Sequence, residues 1–323
     1  MEISTDSLIA NTRETQSKFM DFISDFKTDL WKYCRYITGS PWDGEDLFQE
    51  TLLKAYGKLS QQWHPVQPKA YVFRIATNTW IDQKRRNKEL ETEFDEAFIP
   101  HDINTNIRID DQVISQLETQ RAIQDLTQNL PLKQRVAFLL TEVFSFNAKE
   151  AASFLQSTPG AVYASTRRAK EKLNEMNLQE SDNRKVIPPS KEEEKILQAY
   201  VHALNEGNVE ELLGLMHETI HTDATPGFQE YDKEETKSGS LAHGLPSNIV
   251  VEQVNLWGRQ VMVAYMEENG VQKIHNIQYH YVVDGKVSYS RTFYFCKELM
   301  LEAGKELGDP VQTVKGPNIN WES

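Results

Sequence analysis

Residues 133–173 read KQRVAFLLTEVFSFNAKEAASFLQSTPGAVYASTRRAKEKL, and this stretch decides the first half of the fold. Leu130-Pro131 opens a helix, because proline is tolerated in a first helical turn. Val136, Leu139, Leu140 and Val143 recur at three- and four-residue spacings and predict its buried stripe. Asn147 stands where it can cap a second helix, AKEAASFLQ. Ser157-Thr158-Pro159-Gly160 makes a turn, with Ser157 or Thr158 as the next cap. In the third helix Val162, Thr166, Ala169 and Leu173 share one face. Thr158, Tyr163, Ala164, Arg167, Arg168 and Lys170 are left for the others. This is the helix-turn-helix pattern, whose second helix enters the major groove of DNA. Its N-terminal part would read bases, and its cations would hold phosphates. A surface helix of an ordinary bundle has the same local pattern.

The chain around this basic helix is acidic, with 35 Lys and Arg against 48 Asp and Glu and a net charge of −13. Such a balance argues against non-specific coating of nucleic acid but leaves room for local basic faces. The excess is uneven: residues 181–323 hold 22 acids and 13 bases, residues 1–180 hold 26 acids and 22 bases. A length of 323 residues suggests two or three domains. No apolar run is long enough to span a membrane, and the polar N-terminus lacks signal-peptide order, so a cytoplasmic location is expected. The two cysteines, Cys34 and Cys296, imply neither a disulfide framework nor a zinc module.

Residues 17–88 have helical periodicity, residues 89–116 read as an acidic linker, and residues 117–178 are helical again. Within the first block, PKAYVFRIATNTWIDQKRRNK (68–88) carries Lys69, Arg74, Lys84, Arg85, Arg86 and Lys88 against the single acid Asp82. Tyr71, Phe73 and Trp80 are interleaved. Cations and rings together suit single-stranded or melted DNA; equally, the rings can be core and the basic end can complement the helix dipole. The preceding loop, SQQWHPVQP (60–68), sets out Trp63 and His64 as a base-recognition loop or a plain connector. DGEDLFQETLLKAYGKL (43–59) opens on acids that favour a helix N-terminus. Its polar face is too acidic for DNA and suits either solvent or a protein partner.

Together these three segments resemble the extracytoplasmic-function (ECF, group IV) class of bacterial sigma factors, over residues 17–178. DGEDLFQETLLKAYGKL is similar to the class's polymerase-binding helix, PKAYVFRIATNTWIDQKRRNK to its −10 helix, and LPLKQRVAFLLTEVFSFNAKEAASFLQSTPGAVYASTRRAKEKL to its −35 domain. The resemblance implies a division into region 2 (1–88), a linker (89–116) and region 4 (117–180). It implies that Asp46, Leu47, Gln49, Glu50 and Leu53 meet the clamp helices of the largest subunit of core RNA polymerase, with region 4 near the polymerase flap. It implies that Trp63, His64, Asn78, Lys84, Arg85 and Arg86 engage the −10 element, and that Thr158, Gly160, Tyr163, Ala164, Arg167 and Arg168 face the −35 element of promoter DNA. Asp82 would hold a neighbouring arginine. Thr166 departs from the class, which usually places a larger apolar residue there. The resemblance implies no catalytic residue, cofactor or metal. The competing reading is a helix-turn-helix regulator that never joins polymerase, which leaves DGEDLFQE unexplained.

After a second linker (181–189, with Pro188-Pro189), the texture changes. EEEKILQAYVHALNEGNVEELLGLM reads as two helices split at Gly207. Strand-like runs follow at 249–256, 260–266, 271–283 and 286–295, with turn signals at Trp257-Gly258, Asn269-Gly270 and Asp284-Gly285. A last helix is expected near 296–307. The pattern is α+β, giving a multidomain fold of two all-α sigma domains and an α+β domain. Residues 190–307 resemble the SnoaL-like (NTF2-like) fold, a cone-shaped sheet with helices, which implies a fused regulatory domain over 190–323. A small ligand in that domain, or an enzyme targeted to DNA by the helix-turn-helix, is the alternative. His275, Tyr279 and Tyr281 are expected on one face of their strand, and Tyr289 and Arg291 on one face of the next. His217-Glu218-Thr219-Ile220-His221 matches a zinc-protease motif, but Thr219, Ile220 and Thr222 favour a strand. Residues four apart in a strand are separated by about 13 Å, too far to share one zinc.

Overall fold

Apolar faces at helical spacing build the first part of the chain. The structure, a computed structural model, describes residues 5–59, 61, 67–86, 120–175, 190–246, 248–315 and 319–321. Residues 1–180 and 181–323 form separate units. The first unit opens with α1 (Thr5–Ile23), a short 3-10 turn, α2 (Lys27–Thr38), α3 (Pro41–Leu59) and α4 (Pro68–Arg86). The core of these helices includes Leu30, Tyr33 and Ile37 of α2, Phe48, Leu52 and Ala55 of α3, and Val72, Phe73 and Ala76 of α4. Helix α2 ends on Gly39 in the left-handed conformation (φ 88°), where a side chain would be strained. Helix α3 then turns back and crosses α2 at Gly44, where a Cβ would lie 2.7 Å from the Cα of Arg35. Only glycine permits that crossing. The buried Glu45 accepts hydrogen bonds from Trp31 Nε1 and Gln49 Nε2, both at 2.6 Å. Part of the acidic opening of α3 is therefore structural.

The second half of this unit comprises α5 (Gln120–Asn129), α6 (Leu132–Phe138), α7 (Ala148–Leu155) and α8 (Pro159–Glu175). A π-helical turn, Leu139–Val143, continues α6. Val136, Leu139 and Leu140 are buried as expected. Val143 is only half-buried, because the wider turn rotates it away from the α-helical phase. Asn147 caps α7 in a reciprocal capping box: its side chain accepts from the amides of Lys149 and Glu150, and the Glu150 carboxylate accepts from the Asn147 amide.

In the second unit, α9 (Lys191–Asn205) and α10 (Val209–Leu215) precede a six-stranded sheet. Its strands are β1 (Met216–Ala224), β2 (Phe228–Glu230), β3 (Ile249–Leu256), β4 (Arg259–Glu268), β5 (Val271–Val283) and β6 (Lys286–Thr292). The order is β2-β1-β6-β5-β4-β3, with β1 parallel to β6 and the other pairs antiparallel. Leu197, Tyr200, Leu204, Leu212 and Leu213 pack on Ile220, Val251, Met262, Ala264 and Val287. The three expected hairpin turns are present, each with two successive residues at positive φ: Trp257-Gly258, Asn269-Gly270 and Asp284-Gly285. Strands over 249–256 and 271–283 form as the alternation predicts. The run 286–295 does not continue to its end: β6 stops at Thr292, the Cys296 amide bonds back to the Phe293 carbonyl, and α11 (Lys297–Leu307) follows. Both cysteines are buried and neither is in a disulfide. Among the described residues no helix is long and apolar enough to cross a membrane. The fold is thus an all-α unit followed by an α+β unit.

Candidate nucleic-acid interface

Helix α8 sorts its side chains cleanly. Val162, Thr166 and Ala169 are buried, while Thr158, Gly160, Tyr163, Arg167 and Arg168 are exposed and Ala164 is half-buried. The cap is Thr158, whose hydroxyl accepts from the Ala161 amide at 3.2 Å. Thr166 pairs its hydroxyl with Thr141 at 3.2 Å, and Thr141 donates to the Ala137 carbonyl at 2.9 Å. A short hydroxyl chain thus occupies the place of the larger apolar residue. Arg167 leans on Glu171 at 3.4 Å in an exposed pair. Lys170 is held by Glu142 at 2.8 Å, with 14% of its side chain exposed, so it anchors α8 to the π-turn.

Helix α4 behaves differently at its two ends. Tyr71, Phe73 and Trp80 are all buried. The rings therefore form core, and the reading of α4 as a base-stacking platform is not met. Lys84 Nζ sits 4.7 Å from the centre of the Trp80 ring. Arg85 and Arg86 are exposed, and Asn78 and Lys84 are half-buried. Asp82 meets Arg85 at 3.5 Å, as an acid steadying its neighbour would. Trp63 and His64 lie outside the described residues.

On α3, Asp46 is exposed and Leu53 is 73% exposed. Gln49 and Glu50 are half-buried; Glu50 accepts from Gln83 Nε2 and pairs with Lys54 at 2.6 Å. Leu47 corrects the expectation, since it is 2% exposed. It shares with Thr51 and Ala55 the four-residue spacing of the inward face, so it supports the surface from below.

Sequence reasoning missed Arg135, which reads as an ordinary helix cation and is 4% exposed. It also missed Phe144 and Phe146, buried aromatics placed in a loop. Two such residues flanking a single polar one were the available signal.

In the second unit the zinc-protease look-alike lies on β1, and no cluster of metal-ligating side chains occurs among the described residues. Tyr289 and Arg291 do share a face: both meet Asp223, at 3.3 and 2.6 Å. Burial alone would raise the Asp223 carboxyl, but the Thr225 hydroxyl and amide, with Arg291, hold it below the usual carboxylate value. Tyr279 and Tyr281 pack together at 5.4 Å. His275 does not join them. A register shift between β4 and β5 displaces it, and it pairs with Gln312 and packs on Tyr294. On the opposite face the buried His280 packs against Tyr200 with tilted rings, 4.5 Å between centres, and burial pushes its imidazole down to about 3.

Comparison with known proteins agrees with the helical geometry. Residues 22–89 match the Sigma-70 region 2 family, and residues 120–173 match the Sigma-70, region 4 family. The ECF RNA polymerase sigma factor SigG of Mycobacterium tuberculosis is 25% identical over 223 residues, covering 62% of this chain and 60% of that protein. The chain therefore spans less than two thirds of that relative's length. The ECF RNA polymerase sigma factor SigW of Bacillus subtilis is 26% identical over 165 residues, covering 49% of this chain and 88% of that protein. Among solved structures, the extracytoplasmic function sigma factor SigJ of Mycobacterium tuberculosis is similar at 16% identity and a TM-score of 0.33, covering 84% of this chain and 95% of that one. An NTF-2 like protein of unknown function from Burkholderia xenovorans is similar at 12% identity and a TM-score of 0.28, covering 39% of this chain and 88% of that one. Residues 22–89 and 120–173 thus carry the two sigma-70 regions, and the curated proteins to which this part of the chain is similar are ECF sigma factors.

Proposed function

We propose that the chain is a sigma subunit that joins core RNA polymerase and directs it to a promoter. The observation that carries this reading is the presence in one chain of a region 2 segment followed by a region 4 segment. A lone helix-turn-helix regulator has no use for the first. Asp46, Gln49, Glu50 and Leu53 would form the polymerase contact, Asn78, Lys84, Arg85 and Arg86 the −10 contact together with Trp63 and His64, and Thr158, Gly160, Tyr163, Ala164, Arg167 and Arg168 the −35 contact. An acidic chain of this kind limits phosphate-driven non-specific binding while it is free. Its place of action is then the cytoplasm. It acts by binding, with no catalytic step of its own.

Residues 190–323 would act as a fused regulator of SnoaL-like type. Their folding as a separate unit supports a task apart from the helical readers, and the Asp223–Arg291–Tyr289 cluster is where a small polar ligand would bear on it. The test is reconstitution. Core polymerase and the full chain should co-elute and give specific run-off transcripts, and a chain ended after Glu180 should differ from it in promoter output. Absence of co-elution would overturn the sigma reading, and equal output would overturn the regulatory one.

A further inference from the structure

One histidine of the second unit is not satisfied by its own packing. His280 of β5 is 9% exposed, and both its ring nitrogens are buried with no hydrogen-bond partner among the described residues. A neutral imidazole carries one N–H donor and one acceptor. Leaving both unmet is costly, because each group gives up water and gains nothing in exchange. Buried polar groups are nearly always paired, so two orphaned nitrogens on one ring mark a place where a partner belongs.

The surroundings define the kind of partner. His280 stands opposite Ser290 of β6, and Ser290 opposite Thr222 of β1. Side chains at paired positions lie on the same face, so a polar row crosses three strands. Its far end is satisfied: the Thr222 hydroxyl lies 3.4 Å from that of Thr236, which donates to the Asp232 carbonyl at 3.0 Å. The unmet hydrogen bonding is therefore concentrated at His280. Around the row the face is apolar, with Met262, Ala264 and Val287 in one core with Leu204. A few polar groups in an apolar surround is the make-up of a small-molecule site. Both nitrogens are covered, so a ligand reaches them only as a side chain moves. The Tyr200 ring of α9, whose centre lies 4.5 Å from that of the imidazole, is the side chain placed to do so.

This face holds no charge next to the imidazole. Burial alone pushes His280 down to about 3 and the Tyr200 phenol up, with no charged neighbour contributing to either. The imidazole is therefore neutral at pH 7. An ion brought beside it would lose hydration with no counter-charge to replace it. The paired Asp223 and Arg291 are no help, since each is one residue along its strand from Thr222 or Ser290 and so lies on the other face.

We propose that His280 anchors a second ligand site, separate from the charged cluster at Asp223, for an uncharged and largely apolar molecule bearing a hydroxyl or carbonyl oxygen. Either oxygen accepts from the imidazole N–H, and a hydroxyl can instead donate to the bare nitrogen. The test uses the full chain with isotope-labelled histidine and needs neither polymerase nor promoter, so its outcome is independent of the sigma reading. The probes are 2-propanol, phenol and acetophenone, with benzoate and benzylammonium as charged counterparts. The ring resonance missing from His280→Leu identifies His280. At least one uncharged probe should shift that resonance saturably, with a midpoint on the order of 1 mM for a molecule of about eight heavy atoms. The charged counterparts should bind on the order of tenfold more weakly or less well still. The same uncharged probe should raise the melting temperature of the wild-type chain and not that of His280→Leu. If no uncharged probe moves the His280 resonance, water alone satisfies the ring and the site does not exist. Equal shifts from the charged probes would overturn the ligand class. Equal stabilisation of His280→Leu would remove His280 as the anchor. If the leucine variant does not fold, His280→Gln takes its place in both measurements.

Discussion

Glu171 offers a sensitive test of where α8 meets DNA. Its carboxylate lies 3.4 Å from Arg167 Nε, one helical turn away, with both side chains nearly half exposed. An exposed pair at this spacing is worth about 0.3–0.5 kcal/mol. If Arg167 leaves Glu171 for a phosphate or a base, that energy opposes binding. Glu171→Gln should then tighten promoter binding by about twofold. Arg167→Ala should weaken it, by about 1–3 kcal/mol if the guanidinium reads a base. If it holds a phosphate, the loss should be uniform across sequences, and the salt slope of log K should fall by about 0.9. Arg168→Ala is judged by the same two signatures, while Lys170→Ala should act mainly through its 2.8 Å pair with Glu142 and lower stability. The assay is fluorescence anisotropy of a −35 duplex with reconstituted holoenzyme at several salt concentrations. If Glu171→Gln, Arg167→Ala and Arg168→Ala all leave affinity and salt slope unchanged, the exposed face of α8 does not contact DNA.

Other outcomes follow from burial and capping. Leu53→Asp should reduce core-polymerase affinity while leaving the melting temperature unchanged, whereas Leu47→Ala should lower stability by roughly 2–5 kcal/mol; surface plasmon resonance and calorimetry separate the two. Asn147→Ala removes an acceptor for two amides and should cost about 1 kcal/mol, read as a lower denaturation midpoint with native-like circular dichroism. His280 has a folded pKa below its unfolded value, so its contribution is full above the unfolded pKa of 6.5 and is lost as pH falls towards about 3, each unit of depression being worth ~1.4 kcal/mol. His280→Leu should flatten the pH dependence of stability in that window, and an unchanged difference between variant and wild type from pH 7 to pH 4 would refute the assignment.

The legible parts were those in which local chemistry and tertiary packing agree. Asn147 as a cap, Thr158 before Pro159, and the three turns at Trp257-Gly258, Asn269-Gly270 and Asp284-Gly285 are short-range devices that act within four residues. The strand β1 was less visible, because it follows α10 with no intervening turn and pairs with β6 about seventy residues later. Its HETIH passage still declared itself non-helical through Thr219, Ile220 and Thr222. The bulged register at His275 could not be foreseen from alternation, since one extra residue in a ladder inverts the faces beyond it.

The same distinction governs the candidate interface. Residue type marks α4 as basic and aromatic, but only packing tells which atoms reach solvent: Tyr71, Phe73 and Trp80 are core, and Arg85 and Arg86 are left outside. It likewise divides the acidic helix α3, taking Glu45 and Leu47 inward and leaving Asp46 and Leu53 outside. Leu53 is the informative one. An isolated exposed leucine needs no special cause, yet this one stands beside an acid on the helix proposed above as the polymerase contact. An apolar anchor rimmed by charge is the arrangement that interfaces favour. Phe144 makes the opposite case. It is buried, and among the described residues Tyr33, Tyr36 and Phe73 of the region 2 segment pack around it. Phe144→Ala should therefore lower the stability of the first unit by roughly 3–5 kcal/mol, read as a lower denaturation midpoint, and an unchanged midpoint would refute the packing role of the ring.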